Sequence, residues 1–381
     1  MHLSKRSEVD PFIVMDVMEA ARKAEAAGRR IIHMEVGQPG TGAPQAARDA
    51  VSGALDTDPM GYTVSLGLPA LRDGIAALYG RWYDVDLDPA RVIVTAGSSG
   101  AFLLAFTALF DAGDKVGVSE PGYPSYRSIL KALSLQPVGI PTDPADGYRL
   151  RADALAAADL SGAIVASPNN PTGTMLGRDD LASLMQASRG RSFISDEIYH
   201  GLHYGARAVS ALEISDDVYV INSFSKYFSM TGWRIGWMVV PETHVRAIER
   251  LAQNMFICAP HAAQVAALGA LRADNELEGH RATYAQNRRL LVDGLRAAGI
   301  DRLAPADGAF YVYADVSEFT TDSHAFCAEM LEHAGVAATP GLDFDPVRGH
   351  ETVRFSYARS SSDIAEGVRR LATFIADRTT T

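Results

Sequence analysis

The stretch "SFSKYFSMTGWRIGW" (Ser223–Trp237) sets one lysine, Lys226, and one arginine, Arg234, among aromatic rings, glycines and small hydroxyls. It continues "DVYVINS" (Asp217–Ser223), a short β-rich run, and leads into another, "RIGWMVV" (Arg234–Val240). Two cations are therefore expected beside strand ends, in apolar surroundings where a charge is costly unless it meets a partner. The same grammar recurs upstream. "RVIVTAG" (Arg91–Gly97) precedes the apolar helix "GAFLLAFTALF", "DKVGVSE" (Asp114–Glu120) precedes "YPSYRSILKAL", and "GAIVASP" (Gly162–Pro168) precedes "RDDLASLMQAS" (Arg178–Ser188), with "RSFISDE" (Arg191–Glu197) completing the series.

Such alternation predicts an α/β fold, a mostly parallel sheet sandwiched by helices. In sheets of this kind ligands bind beyond the carboxyl ends of the strands. The loops at those ends, "AGSSG", "EPGYP", "SPNNPTG", "SDEIYH" and "NSFSKY", hold the unusual residues. The termini read differently. Residues 11–30 predict an amphipathic helix ended near Gly28, and "YAQNRRLLVDGLRAAG" (Tyr284–Gly299) a second long one. With "DGAFYVYADV" and the closing "HAFCAEMLEHAG", "ETVRFSYA" and "DIAEGVRRLATFIAD", they suggest a smaller α+β domain built from both ends. The expected division is 1–40 for the N-terminal segment and part of the small domain, 41–283 for the large domain, and 284–381 for a linking helix and the rest of the small domain.

Composition narrows the function classes. The 381 residues are 47% hydrophobic and 21% charged, with a net charge of −11, which gives no electrostatic footprint for nucleic acid or an anionic membrane. Cys258 and Cys327 are too few for a disulfide framework, the N-terminus lacks a signal-peptide core, and the longest apolar run falls short of a membrane span. A soluble protein of the reducing cytoplasm is expected. No metal site is read from the sequence.

Chemistry enters through the loops. "TAGSSGAF" (Thr95–Phe102) places Ser98 and Ser99 at a strand-to-helix turn whose free amides favour an anion, although a capped tight turn reads equally well. There is no "GKS" or "GKT", so this is not a nucleotide P-loop. Ser223 and Arg234, beside other strand ends, add a hydroxyl and a guanidinium fork, and a phosphate-bearing ligand becomes the better reading. Lys226 in an apolar setting tends toward a lowered pKa, hence a nucleophilic amine. An aldehyde carrying a phosphate accounts for Lys226, Arg234, Ser223 and the serine loop together.

"SPNNPTG", "SDEIY" and "SFSKYFSMTGWRIGW", in this order, resemble the hallmarks of the fold-type I, class I/II aminotransferases that use pyridoxal 5′-phosphate. "GYTVSLGLPALR" (Gly61–Arg72), "PGYPSY" (Pro121–Tyr126), "DGAFYV" and "VRFSYA" extend the resemblance over nearly the whole chain. It implies that Lys226 bonds the cofactor aldehyde and then carries protons at the substrate Cα. Asp196 faces the pyridine nitrogen, Tyr199 and Asn170 meet the 3-oxygen, and Tyr123 stacks on the ring. Ser98, Ser99, Ser223 and Arg234 hold the phosphate, joined by Tyr62 from the other subunit of a homodimer with shared active sites. Arg354 and Asn170 bind the substrate carboxylate, approached by the backbone of Gly37, though Gln38 stands where relatives often have glutamate. Asn170–Pro171 is a candidate cis peptide.

The implied reaction is transfer of an amino group from an L-α-amino acid to a 2-oxo acid by a ping-pong Schiff-base mechanism. The alternative within the fold is a carbon–sulfur β-lyase. A ligand-sensing regulator on the same domain is a remote third reading, since those carry a DNA-binding region ahead of it. Dicarboxylate enzymes of the related aspartate subgroup bring a second arginine near the turn that aligns with "AQNMFICAP" (Ala252–Pro260), which has no cation here; Arg250 lies out of register. With the apolar "PFIV" (Pro11–Val14) expected beside the substrate side chain, neutral, apolar or aromatic amino acids are favoured.

Overall fold

A computed structural model describes residues 1–379; residues 380 and 381, the end of the expected C-terminal part, lie outside the described residues. In chain order the strands are β1 (Ile32–His33), β2 (Val92–Thr95), β3 (Lys115–Glu120), β4 (Gln136–Pro141), β5 (Gly162–Ala166), β6 (Ser192–Asp196), β7 (Tyr219–Ser223), β8 (Gly236–Val239), β9 (Tyr311–Asp315), β10 (Val336–Ala337), β11 (Thr339–Pro340) and β12 (Thr352–Ser356). Seven of them form one sheet in the order β2-β8-β7-β6-β5-β3-β4, parallel from β7 through β4 and flanked by helices. The residues of β2, β7 and β8 are buried throughout, which explains their largely apolar composition. β4 was not foreseen, because its two prolines argue against a strand. It is an edge strand, where a missing N–H is tolerated.

β8 runs antiparallel to both of its neighbours, pairing Ser223 with Gly236 on one side and Thr95 with Gly236 on the other. The reversal brings the start of β8, and Arg234 just before it, to the edge where β2 and β7 end. The aromatics of the opening stretch build the layer beneath. Phe224 and Trp237 are fully buried with ring centroids 4.9 Å apart, and the Trp237 indole donates to Tyr79 Oη over 3.3 Å.

Both chain ends meet in a second assembly. β11, β12 and β9 form an antiparallel sheet, and β1 pairs in parallel with β10, so Ile32 lies against Val336. The linking helix runs Asp274–Ala297, ten residues earlier than the apolar stripe had suggested, because its first turns are polar and carry Asp274 and Glu276 where the helix dipole favours acids. The expected boundary at 284 falls inside this helix.

The first helix, Ile13–Ala26, is shorter than residues 11–30 and is pinned at both ends by distant residues. The Asp343 carboxylate accepts from the amides of Ile13 (3.0 Å) and Val14 (3.4 Å). At the other end His33 bridges Glu25 on the helix (3.0 Å) and buried Glu35 (2.8 Å). The hydrogen bond to Glu35, against an opposing burial effect and aided by Glu25, raises the His33 pKa from 6.5 to about 9. A raised folded-state pKa gives stabilisation that is complete below about pH 6.5 and is lost as pH climbs through about 9. Urea unfolding should therefore find wild type more stable than His33→Gln by about 2 kcal/mol near pH 6, with the difference vanishing by about pH 10.

Candidate active site

The sheet edge and the second assembly enclose a cavity of about 550 Å³. Its wall includes Gly37, Ser98, Ser99, Tyr123, Asn170, Tyr199, Lys226, Arg234 and Arg354, nine of the residues singled out from the sequence. Asp196, Ser223 and Tyr62 are not on that wall.

Lys226 follows the end of β7. Its Nζ donates to the carbonyl of Gly37 over 2.6 Å and lies 5.7 Å from the Tyr199 ring centre and 5.9 Å from that of Phe310. Among the described residues no carboxylate forms an ion pair with it. Burial first, then the Arg354 and Arg234 guanidiniums, lower its pKa to about 7, against the pull of Asp196. Position 37 must be glycine for this contact, since a Cβ there would lie 1.8 Å from Tyr311 Oη. That hydroxyl in turn pairs with Tyr199 Oη at 2.8 Å.

Asp196, the last residue of β6, stands behind the wall and is 2% exposed. Its carboxylate accepts from the Tyr126 hydroxyl and from the amide of Ile198 (3.0 Å). Burial raises its pKa to about 6, partly offset by the Tyr126 bond, the Ile198 amide and the Lys226 charge. The chain beyond it, through Tyr199, is a turn rather than a helix. Tyr126 was quoted within "PGYPSY" but given no role. It lies one turn beyond Tyr123, in the helix Pro124–Ala132.

At another part of the cavity the helix Gly97–Leu109 begins without a side-chain cap, leaving its first amides free. Arg234 adopts a left-handed backbone (φ 53°) and its guanidinium rests on Gly97, where a Cβ would lie 2.5 Å from Nη2. Ser223 is buried just behind the wall. Its hydroxyl lies inside the turn, 2.9 Å from Ser225 Oγ and 3.3 Å from the Ile235 carbonyl, and Ser225 lines the wall beside it. Free amides, Ser98, Ser99, Ser225 and Arg234 make a donor set suited to a phosphate, close to a buried amine and a carboxylate. The residues present thus fit pyridoxal phosphate.

Arg354, from β12, is 4% exposed. Nη1 donates to Asn170 Oδ1 (2.9 Å), Nη2 to the carbonyl of Glu35 and to Thr339 Oγ1 (3.3 Å), and the guanidinium packs on the rings of Tyr311 (4.3 Å) and Phe344 (4.6 Å). No carboxylate among the described residues pairs with it, and its buried Nε has no partner. No salt bridge among the described residues accounts for this buried charge. Asn170–Pro171 is cis, as are Glu120–Pro121 and Ser167–Pro168.

Of "PFIV", Phe12 and Val14 line the cavity and Pro11 and Ile13 do not; Met15, Met18, Val36 and Ile198 join them. Met15 and Met18 were legible as the continuation of one helical face. Tyr62 is 83% exposed on the single chain.

Residues 29–371 match the family "Aminotransferase class I and II". The chain is 50% identical over 379 residues to a valine–pyruvate aminotransferase of Mycobacterium tuberculosis, covering 97% of each. It is 32% identical to an aspartate aminotransferase of Geobacillus stearothermophilus, over 99% of this chain and 100% of that one. A solved aminotransferase from Mycobacterium tuberculosis superposes with a TM-score of 0.97 at 48% identity, over 99% of this chain and 100% of that one. With hallmark loops gathered around a buried lysine and a match spanning nearly its whole length, the chain belongs to the class I and II aminotransferases and is a transaminase.

Proposed function

We propose that this transaminase uses pyridoxal 5′-phosphate to move amino groups from neutral, apolar or aromatic L-amino acids to a 2-oxo acid in two ping-pong half-reactions. One observation carries the preference: beside the two guanidiniums, Arg234 and Arg354, the cavity wall drawn from the first helix and the residue before it is wholly apolar, with Phe12, Val14, Met15 and Met18. The similarity to a relative named for valine and pyruvate supports it. No helix among the described residues is long and apolar enough to cross a membrane, and a cytoplasmic location remains our inference from the two free cysteines.

When bound, the cofactor supplies an electrophilic aldehyde and an electron-accepting ring. Lys226 Nζ, held partly neutral, would be the group that bonds the aldehyde and moves the proton at the substrate Cα. Asp196 would hold a proton at the ring nitrogen, Tyr199 and Asn170 would orient the ring through its 3-oxygen, and Tyr123 would pack against it. Arg234, Ser98, Ser99 and Ser225 would hold the phosphate, with Ser223 in the same turn. Arg354 binds the substrate carboxylate, and the apolar wall excludes water from the reacting atoms. We further infer a homodimer in which exposed Tyr62 reaches the phosphate of the partner subunit.

Borohydride reduction of the cofactor-loaded enzyme followed by peptide mapping should mark Lys226; a label on another lysine would overturn its role. A half-reaction screen over the common amino acids should give valine-like or aromatic substrates a higher kcat/KM than aspartate, and aspartate ranking first would sink the preference. In that screen Arg354→Ala should lose about 2–5 kcal/mol in kcat/KM for every amino acid, because the carboxylate is common to all. Mixing inactive Lys226→Ala with impaired Tyr62→Phe subunits should raise activity above either parent, since one site of each heterodimer is then intact. No gain under confirmed subunit exchange would rule out the shared site.

A further inference from the structure

We propose a second ligand site, a cleft behind the Lys226 loop that takes a small monoanionic carboxylate with a flat apolar body. The cleft, about 270 Å³, lies between the end of the helix Pro69–Tyr83, the loop after β6 and the start of the helix Asp274–Ala297. Whereas Lys226 faces the active-site cavity, the next residue, Tyr227, lines this cleft. The site is separate from the transaminase chemistry, and its occupancy can be read without turnover.

Three arginines and one acid meet here in a chain whose net charge is −11. Arg281 bonds Glu278 through Nε (2.7 Å), and Glu278 also accepts from Tyr227 Oη (2.8 Å). Arg207 bonds both oxygens of Glu213, which lies outside the cleft wall, at 2.8 and 2.9 Å. Arg81 forms no ion pair among the described residues. The wall is left with one uncompensated guanidinium, which is why the geometry selects a single negative charge. His203 also lines the cleft; its buried Nδ1 makes no hydrogen bond, and burial, then the nearby Arg281 charge, lowers the pKa of the imidazole, so it adds no further positive charge to the wall. Trp82, Tyr83 and Tyr227 give the apolar surface, Trp82 standing edge-to-face with Tyr227 at 5.3 Å.

The cleft has two short connections to the active site. Tyr227 is bonded in the chain to Lys226. Tyr83 Oη meets His200 Nδ1 at 2.6 Å, and His200 Nε2 meets the carbonyl of Ser167 at 2.9 Å, at the head of the turn that carries Asn170. An occupant therefore touches Tyr227, one residue from Lys226, and Tyr83, two hydrogen bonds from the turn that carries Asn170.

Benzoate is a suitable probe, with intrinsic fluorescence and calorimetry as readouts on the holoenzyme. Saturable quenching is expected, lost in Trp82→Phe, with the calorimetric affinity weakened about tenfold or more in Arg81→Gln and unchanged in Arg354→Ala. Arg81 is exposed, so its replacement should leave the thermal unfolding midpoint unaltered. The proposal is overturned if benzoate shows no saturable binding, or if Trp82→Phe keeps the quench. It is equally overturned if Arg354→Ala abolishes binding that Arg81→Gln retains, because benzoate would then occupy the substrate site.

Discussion

An amine buried at the rim of a sheet, with a single hydrogen bond to a backbone carbonyl and two guanidiniums in its electrostatic field, is an expensive arrangement. Carrying a full charge into such a place costs several kcal/mol, and the amine responds by giving up proton affinity. Every other part of the site is arranged around that cost. Asp196 pulls the other way, but it sits behind the wall and is engaged by Tyr126 and the Ile198 amide, so it does not neutralise the lysine outright. Gly37 can offer its carbonyl only because no side chain stands between it and Tyr311.

The sheet makes this placement cheap in conformational terms. β5, β6 and β7 are adjacent and parallel, and they deliver Asn170, Asp196 and Lys226 to one edge without long loops. The reversal of β8 then returns the chain to that same edge with Arg234. Rigid packing underneath holds these positions. Phe224 and Phe228, on either side of Lys226 in sequence, are fully buried and lie 4.8 Å apart, so the backbone that carries the amine is fixed by the core.

Substrate recognition is built differently, from contacts far apart in sequence. The guanidinium of Arg354 is aimed by a carbonyl at position 35 and an amide oxygen at position 170. The apolar wall depends on the helix Ile13–Ala26, which Asp343 and the His33 bridge pin at its two ends. Residue 35 thus serves twice, its carbonyl toward Arg354 and its carboxylate toward His33.

Local pattern in the sequence determined the strands that carry the chemistry, the loops at their ends and the residue types on the cavity wall. It did so because strand runs and strand-end loops are written in consecutive residues, as in "DVYVINS" followed by "SFSKY". The edge strand β4 hid behind its prolines, and the polar first turns of the helix Asp274–Ala297 hid its true start. Only the tertiary structure decided that Ser225 rather than Ser223 lines the wall, that Tyr126 holds Asp196, and that Arg354 has no carboxylate partner among the described residues. Those outcomes turn on side-chain direction at a turn and on contacts between residues up to some 300 positions apart, as between Arg354 and Glu35. Neither is encoded in periodicity or spacing, because a hydrogen bond is chosen by three-dimensional reach and by which competing groups burial has already satisfied.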